Sequence, residues 1–269
     1  MRKFAKKGML IKNMEFVSEN IIIFKVQKKC DADTLFIVNR GLSMSVDNEN
    51  CITHYDPFLT ISDEKEYSKR LDGDVAEMYF TFSSEGLDIS GKELVGYIYN
   101  CAGLRYRRIV LIGHSKAGVC FANASKMIDD ESISMILISA PFNGTIIADK
   151  KEMEKRMSKG ELKVYNKIFN NHAVDKDLIP NSDFMCQADY SGVKTHKCLN
   201  IVSIIKTPYS IKDVGCKCLG KIAGLDSSDG VVSMESQSAL EIPRTIYINA
   251  SHATSLDRAL SGNLDRYVL

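Results

Sequence analysis

The sequence predicts an α/β fold with a mostly parallel central sheet flanked by helices. Three observations predict it. Short β-branched or apolar runs alternate with stretches of helical periodicity, the pattern of strand–helix–strand units. The run Ile109-Val110-Leu111-Ile112 has no polar residue, as expected of a central strand covered on both faces. That run passes through a turn of small and polar residues, Gly113-His114-Ser115-Lys116-Ala117-Gly118, into a helical stretch from Val119 to Met127.

Taken in order, Ile21–Val26 is a β-branched run flanked by charge, and Leu35–Val38 is a short apolar run ending at Asn39-Arg40-Gly41. Met78–Phe82 is the next strand-like run, stopped by Ser83-Ser84-Glu85-Gly86. Gly91–Cys101 carries Leu94, Val95, Ile98 and Tyr99 at helical spacing. After Ile109–Ile112, the runs Ser134–Ser139 and Ile201–Ile205 repeat the buried-strand character, and Thr245–Ile248 is the last strand. The stretch from about residue 143 to 197 is long for a crossover between neighbouring strands. Within it, Lys150–Lys167 holds seven basic and three acidic residues. Met153 and Met157 stand four apart there, and Leu162, Tyr165 and Phe169 follow helical spacing. An amphipathic helix over the core and a mobile cap over a site both fit that pattern. No linker or repeat divides the chain, so residues 1–269 read as one domain with a cap-like insertion at about 143–197.

Composition narrows the function. The 269 residues are 45% hydrophobic, enough for a large buried core. The 35 Lys and Arg balance 34 Asp and Glu, so no overall field draws in nucleic acid, and no nucleic-acid partner is expected. The basic start, Met1 to Lys7, is not followed by the apolar run a secretory signal needs, because Lys12, Asn13 and Glu15 interrupt it. No segment approaches the ~20 apolar residues that span a bilayer. A cytoplasmic location is therefore expected, with peripheral lipid contact left open and oligomeric state undetermined. Eight cysteines without an export signal are expected to be reduced thiols. His196, Cys198, Cys216 and Cys218 supply four conceivable metal ligands. Their C-x-C spacing departs from the C-x₂₋₄-C of structural zinc sites, and no metal is expected.

The turn at Ser115 is where chemistry first shows. A strand, a sharp turn and a helix with Ser at the tip lift the hydroxyl above the sheet. The turn tolerates only small residues two before and two after the serine, and Gly113 and Ala117 stand there. The amide of Lys116 then sits at a helix N-terminus, where developing negative charge is favoured.

A serine hydroxyl needs a base to take its proton, and that imidazole needs a carboxylate to orient it. In a strand–turn–helix site of this kind the chain order is Ser, acid, His. His54 and His114 precede the serine, and His172 and His196 lie in the insertion. His252 follows the final strand directly, which makes it the candidate base. The acid belongs between Ile205 and the last strand, where Asp226-Ser227-Ser228-Asp229-Gly230 offers two aspartates. Asp229, just before Gly230-Val231-Val232, is preferred; Asp226 is the alternative, and Glu235 stands behind both.

With those residues in place the chain resembles the lipase and esterase branch of the α/β-hydrolases. Gly113-His114-Ser115 resembles the nucleophile elbow, and Pro141-Phe142-Asn143-Gly144-Thr145 the Pro-x-x-Gly-Ser/Thr turn after the next strand. Asp229-Gly230-Val231-Val232 resembles the acid loop, and Ser251-His252 the histidine loop. The family's oxyanion loop usually reads His-Gly-x, where this chain has Asn39-Arg40-Gly41-Leu42. By that alignment Leu42 supplies the second oxyanion amide beside Lys116, and Arg40 stands where histidine is usual.

The resemblance implies a Ser115–His252–Asp229 hydrolase acting on carboxylic esters through an acyl-enzyme, with no metal or organic cofactor. The same triad serves acyltransferases, thioesterases and peptidases, and a binding protein that merely keeps the fold is a further reading.

Overall fold

Six parallel strands form the centre of the molecule. The computed structural model describes residues 3–4, 13–29, 31–47, 49, 51–55, 60–61, 70–168, 173–194 and 197–262. Among the described residues the eight strands of the central sheet are β1 Met14–Val17, β2 Ile21–Gln27, β3 Thr34–Asn39, β4 Asp74–Phe80, β5 Arg108–His114, β6 Ile133–Ile138, β7 Lys197–Ile204 and β8 Thr245–Asn249. Their order across the sheet is β8-β7-β6-β5-β3-β4-β2-β1. Strands β3 to β8 pair in parallel, whereas β2 runs antiparallel to β4 and β1 antiparallel to β2. The α/β class expected from the alternating runs is the class observed.

The strands' period of two divides the core. On one face Leu35, Ile37, Ile109, Leu111, Met135 and Leu137 pack under two helices, α1 Leu87–Tyr97 and α2 Lys116–Ala124. On the other, Phe36, Val38, Val110, Ile112, Ile136 and Ile138 meet Leu256, Ala259 and Leu260 of the last helix. Both faces are covered, so these strands lack polar alternation.

Two elements differ from the sequence reading for a physical reason. The expected run Met78–Phe82 begins earlier, at Asp74, because Asp74 and Glu77 are buried yet satisfied. Asp74 accepts from Lys25 Nζ at 3.2 Å and from Tyr106 Oη at 2.6 Å, and Glu77 from Tyr79 Oη at 2.7 Å. The amphipathic stretch Lys150–Lys167 is two helices, α3 Lys150–Arg156 and α4 Lys159–Ile168. Asp149 caps the first, donating no proton but accepting from the Glu152 amide, and Glu161 accepts from the Ser158 amide at 2.7 Å between them. Phe169, His172 and His196 lie outside the described residues.

Five further helices are described: α5 Ala173–Lys176, α6 Asp183–Gln187, α7 Ile211–Ala223, α8 Met234–Ser238 and α9 Ser255–Leu260, of which α7 is the longest at 13 residues. Met153 and Tyr165 from the β6–β7 crossover pack against Ala223 of α7 and against Val231 and Val232. No described helix is long and apolar enough to cross a membrane.

Candidate active site

The register of three strands sets the stage. Gly113 on β5 lies opposite Asn39 on β3, and His114 opposite Ile138 on β6. The loops leaving β3, β5 and β6 therefore emerge level with one another at the sheet's carboxyl edge.

Ser115 takes φ 58 and ψ −130 between β5 and α2. A non-glycine residue at positive φ is strained, and this one is over-determined by its surroundings. Its amide donates to the Ile138 carbonyl at 2.9 Å, and its carbonyl accepts from the Gly118 amide at 2.9 Å. A Cβ at Gly113 would sit 2.8 Å from the Gly118 nitrogen and from the Phe121 ring. Ala117, at the second small position, is fully buried.

His252 follows β8 and reaches back over the elbow. Its Nε2 lies 2.8 Å from Ser115 Oγ, and its Nδ1 lies 2.7 Å from Asp229 Oδ2. A carboxylate oxygen only accepts, so Nδ1 carries the proton. In the ring's neutral form Nε2 then accepts from the Ser115 hydroxyl. Asp229 is fully buried, and its second oxygen accepts from the amides of Val231 and Val232 at 2.9 and 2.8 Å. The His252 amide donates to the Asp229 carbonyl at 2.9 Å, tying the two loops together at the backbone. Asp226 and Glu235 are exposed on the surface.

The loop after β3 runs against the elbow. A side chain at Gly41, which has φ +72, would meet the His114 carbonyl oxygen at 2.8 Å and the Ser115 Cβ at 3.2 Å. Only glycine lets the backbone pass this close to the serine. Leu42, the next residue, is half-buried. Arg40 faces the other way: its guanidinium lies 3.6 Å from buried Glu77 on β4 and 3.5 Å from Asp257 on α9. The residue standing where histidine is usual thus links the β3 loop to the helix that follows His252.

Several contacts had no signal in the sequence. The buried Lys116 ammonium lies 2.7 Å from Asp175 Oδ1 in the β6–β7 crossover and 3.4 Å from Ser43 Oγ. Gln237 of α8 donates to the carbonyls of Ser203 and Val232 and accepts from the Ser203 amide, pinning the acid loop to β7. Asp213 accepts from Thr254 Oγ1 and from Arg258 Nη2, both at 3.0 Å. Burial raises its pKa, but hydrogen bonds from Ser251, the Tyr209 amide, Thr254 and Ser210 outweigh it and hold the carboxyl well below the usual range.

Cys198 is buried on β7, while Cys216 and Cys218 sit on α7. Among the described residues no group of three or more His, Cys, Asp or Glu side chains gathers as a metal site would require. The assembled set of a hydroxyl, an imidazole and a buried carboxyl group is suited to moving one proton along a line.

No protein-family model and no curated protein matches this sequence. Solved structures do match. The mature form of the lipase BlEst2 from Bacillus licheniformis superposes with a TM-score of 0.59 at 12% identity, covering 92% of this chain and 98% of that one. A lipase-esterase related protein from Clostridium acetobutylicum ATCC 824 superposes at 0.51 with 13% identity, covering 92% and 99%. Sheet order, flanking helices and these superpositions agree: the chain has the α/β-hydrolase fold.

Proposed function

We propose that this chain is a serine hydrolase that cleaves carboxylic esters, in the manner of lipases and esterases, with Ser115, His252 and Asp229 as its catalytic residues. The observation that carries the reading is the continuous line from Ser115 Oγ to His252 Nε2 at 2.8 Å and from His252 Nδ1 to Asp229 Oδ2 at 2.7 Å. The names of the two superposed proteins, a lipase and a lipase-esterase related protein, point the same way.

In this reading His252 takes the Ser115 proton as the hydroxyl oxygen attacks the ester carbonyl. Asp229 holds the ring and stabilises its positive form without itself being protonated. The amides of Lys116 and Leu42 receive the tetrahedral oxyanion, each worth about 3 kcal/mol of barrier by the usual cost of losing such a donor. His252 then protonates the leaving alcohol. A water molecule, deprotonated by the same ring, attacks the acyl-enzyme, and His252 returns that proton to the Ser115 oxygen as the acid is released. The insertion at about 143–197 serves as the cover of the acyl site, a role supported by the contact of its Asp175 with Lys116.

A fluorophosphonate probe tests this directly. Labelling is expected in the native chain and absent from Ser115→Ala and His252→Ala. Turnover of an ester panel of graded chain length should fall in Ser115→Ala by about 10⁴–10⁶. Native-like turnover in Ser115→Ala would overturn the assignment.

A further inference from the structure

Helix α7 packs its second half on the core but leaves an apolar stripe exposed along its outer side. Ile211, Val214, Gly215 and Cys218 fall at i, i+3, i+4 and i+7, a single stripe, and all four are exposed. Ile211 is 92% exposed and Val214 50%. Toward the protein the helix turns buried Asp213, Gly220 and Ala223, while Leu219 and Ile222 pack partly buried against the cluster of Met153, Tyr165 and Val232. Tyr209, just before the helix, is 71% exposed, its ring held under the Arg258 guanidinium at 5.2 Å. An ordinary surface helix keeps its outer side polar, so this exposed stripe needs an account.

The charge around the stripe supplies one. At roughly 100° per residue, Lys212 flanks it on one side and Lys217 and Lys221 on the other. Lys206 stands exposed just upstream. Between Lys206 and Ala223 the single acidic residue is Asp213, buried and held by Thr254 and Arg258. An apolar strip bordered on both sides by lysines, with an aromatic at one end and no exposed carboxylate, is the pattern of a helix lying in the plane of a lipid–water interface. Lysine stems lie along the acyl boundary while their ammonium groups reach the phosphates.

We propose that the outward face of α7, with Tyr209, is a docking surface for an anionic lipid bilayer. The helix presses Ile211 and Val214 below the headgroups, and Lys206, Lys212, Lys217 and Lys221 engage lipid phosphates. The opposite side of α7 carries the contact to Thr254 and Arg258, just beyond His252. Docking therefore seats the Ser115 end of the molecule beside the bilayer surface.

The test reads binding rather than activity, so it stands apart from the ester-hydrolase reading. The full chain is sedimented with vesicles of phosphatidylcholine alone and of an equimolar mixture with phosphatidylglycerol. Binding to the mixed vesicles, weakened by added salt, is expected. Ile211→Ser/Val214→Ser should weaken it about tenfold or more, from lost apolar burial. Lys212→Glu/Lys217→Glu should weaken it independently. Neither pair should lower the thermal midpoint by more than a few degrees, because Ile211 and Lys212 are exposed and Val214 is half-exposed. No sedimentation with mixed vesicles, or equal binding by the variants, overturns the proposal. So does a concentration-dependent dimer that Ile211→Ser/Val214→Ser dissolves, which would assign the stripe to a second copy of the chain.

Discussion

The imidazole rings of His114 and His252 lie 4.6 Å apart between centroids, inclined at 44°. His114 Nδ1 is 3.1 Å from the Arg40 carbonyl, which only accepts, so Nδ1 is the protonated nitrogen. Its Nε2 is buried without a hydrogen-bond partner among the described residues. Burial, and then the proximity of His252, push the His114 pKa down to about 3. A neutral ring beside His252 leaves room for one positive imidazole in the pair, and the proposed chemistry places that charge on His252.

This pKa has a consequence for stability against pH. The folded value lies below the unfolded one of about 6.5, so the unfolded chain binds the extra proton. The contribution is complete above the unfolded pKa and is lost as pH falls toward the folded one. Going from about pH 7.5 to about pH 5 should remove about 2 kcal/mol of unfolding free energy through this ring alone. His114→Phe keeps a ring in place, forfeits about 1 kcal/mol with the bond to Arg40, and lacks that acid-dependent loss. Urea denaturation of both proteins at the two pH values measures the difference. Equal pH dependence would mean that His114 titrates normally.

The two neighbouring aspartates should behave oppositely. Asp229→Asn removes the charge facing His252 Nδ1 and permits the other tautomer, for which a loss of about 10⁴ in kcat is expected. Asp226 is exposed, and Asp226→Asn should leave kcat within about twofold, as surface changes usually do. Steady-state rates on the best ester of a chain-length panel decide between them.

What could be read from sequence follows from how local the cause is. The Gly113–Gly118 turn was legible because its sterics are confined to adjacent residues, and β5 and β6 because an unbroken apolar run has few other uses. The start of β4 was hidden, since Asp74 and Glu77 become tolerable only through Lys25, Tyr106 and Tyr79. Strand β1 is a short, half-buried edge with no strong alternation. Chain order pointed to Ser115, His252 and the pair Asp226 and Asp229; the amides of Val231 and Val232 fix Asp229 in a way that spacing alone does not reveal. Helix α7 gave no clean amphipathic signal because Ile211 and Val214 face outward while Leu219, Ile222 and Ala223 pack inward. The contacts of Arg40, Lys116 and Gln237 join residues remote in the chain, and no periodicity encodes them.

Arg40 should be a stability residue through Glu77. Glu77 is 1% exposed, and Arg40→Met would leave its carboxylate without the guanidinium at 3.6 Å. Removing one partner of a buried pair costs about 3–5 kcal/mol. Adding Glu77→Gln keeps an acceptor for the Tyr79 hydroxyl while removing the stranded charge. The double variant should therefore be clearly more stable than the sum of the two single losses, by about 1–3 kcal/mol. Thermal and urea unfolding of the four proteins gives the coupling directly; simple additivity would mean that the charges do not interact.

Lys116 and Asp175 form the corresponding pair between the elbow and the β6–β7 crossover. The Lys116 side chain is 7% exposed and that of Asp175 25%, so the lysine is the partner that suffers when the pair is broken. Asp175→Asn strands an ammonium beside the Phe80 ring, which lies 5.6 Å away, and should cost about 3 kcal/mol. Lys116→Met leaves a carboxylate that can turn to water and should cost less. Because α5 meets the elbow through this contact, Asp175→Asn should also speed amide hydrogen exchange across Ala173–Lys194 while leaving β5 and β6 protected. The backbone amide of Lys116 persists in Lys116→Met, so an oxyanion role for that amide predicts that kcat survives this substitution even as KM rises with the loosened crossover. A kcat collapse in Lys116→Met with unchanged exchange would instead place the ammonium itself in the chemistry.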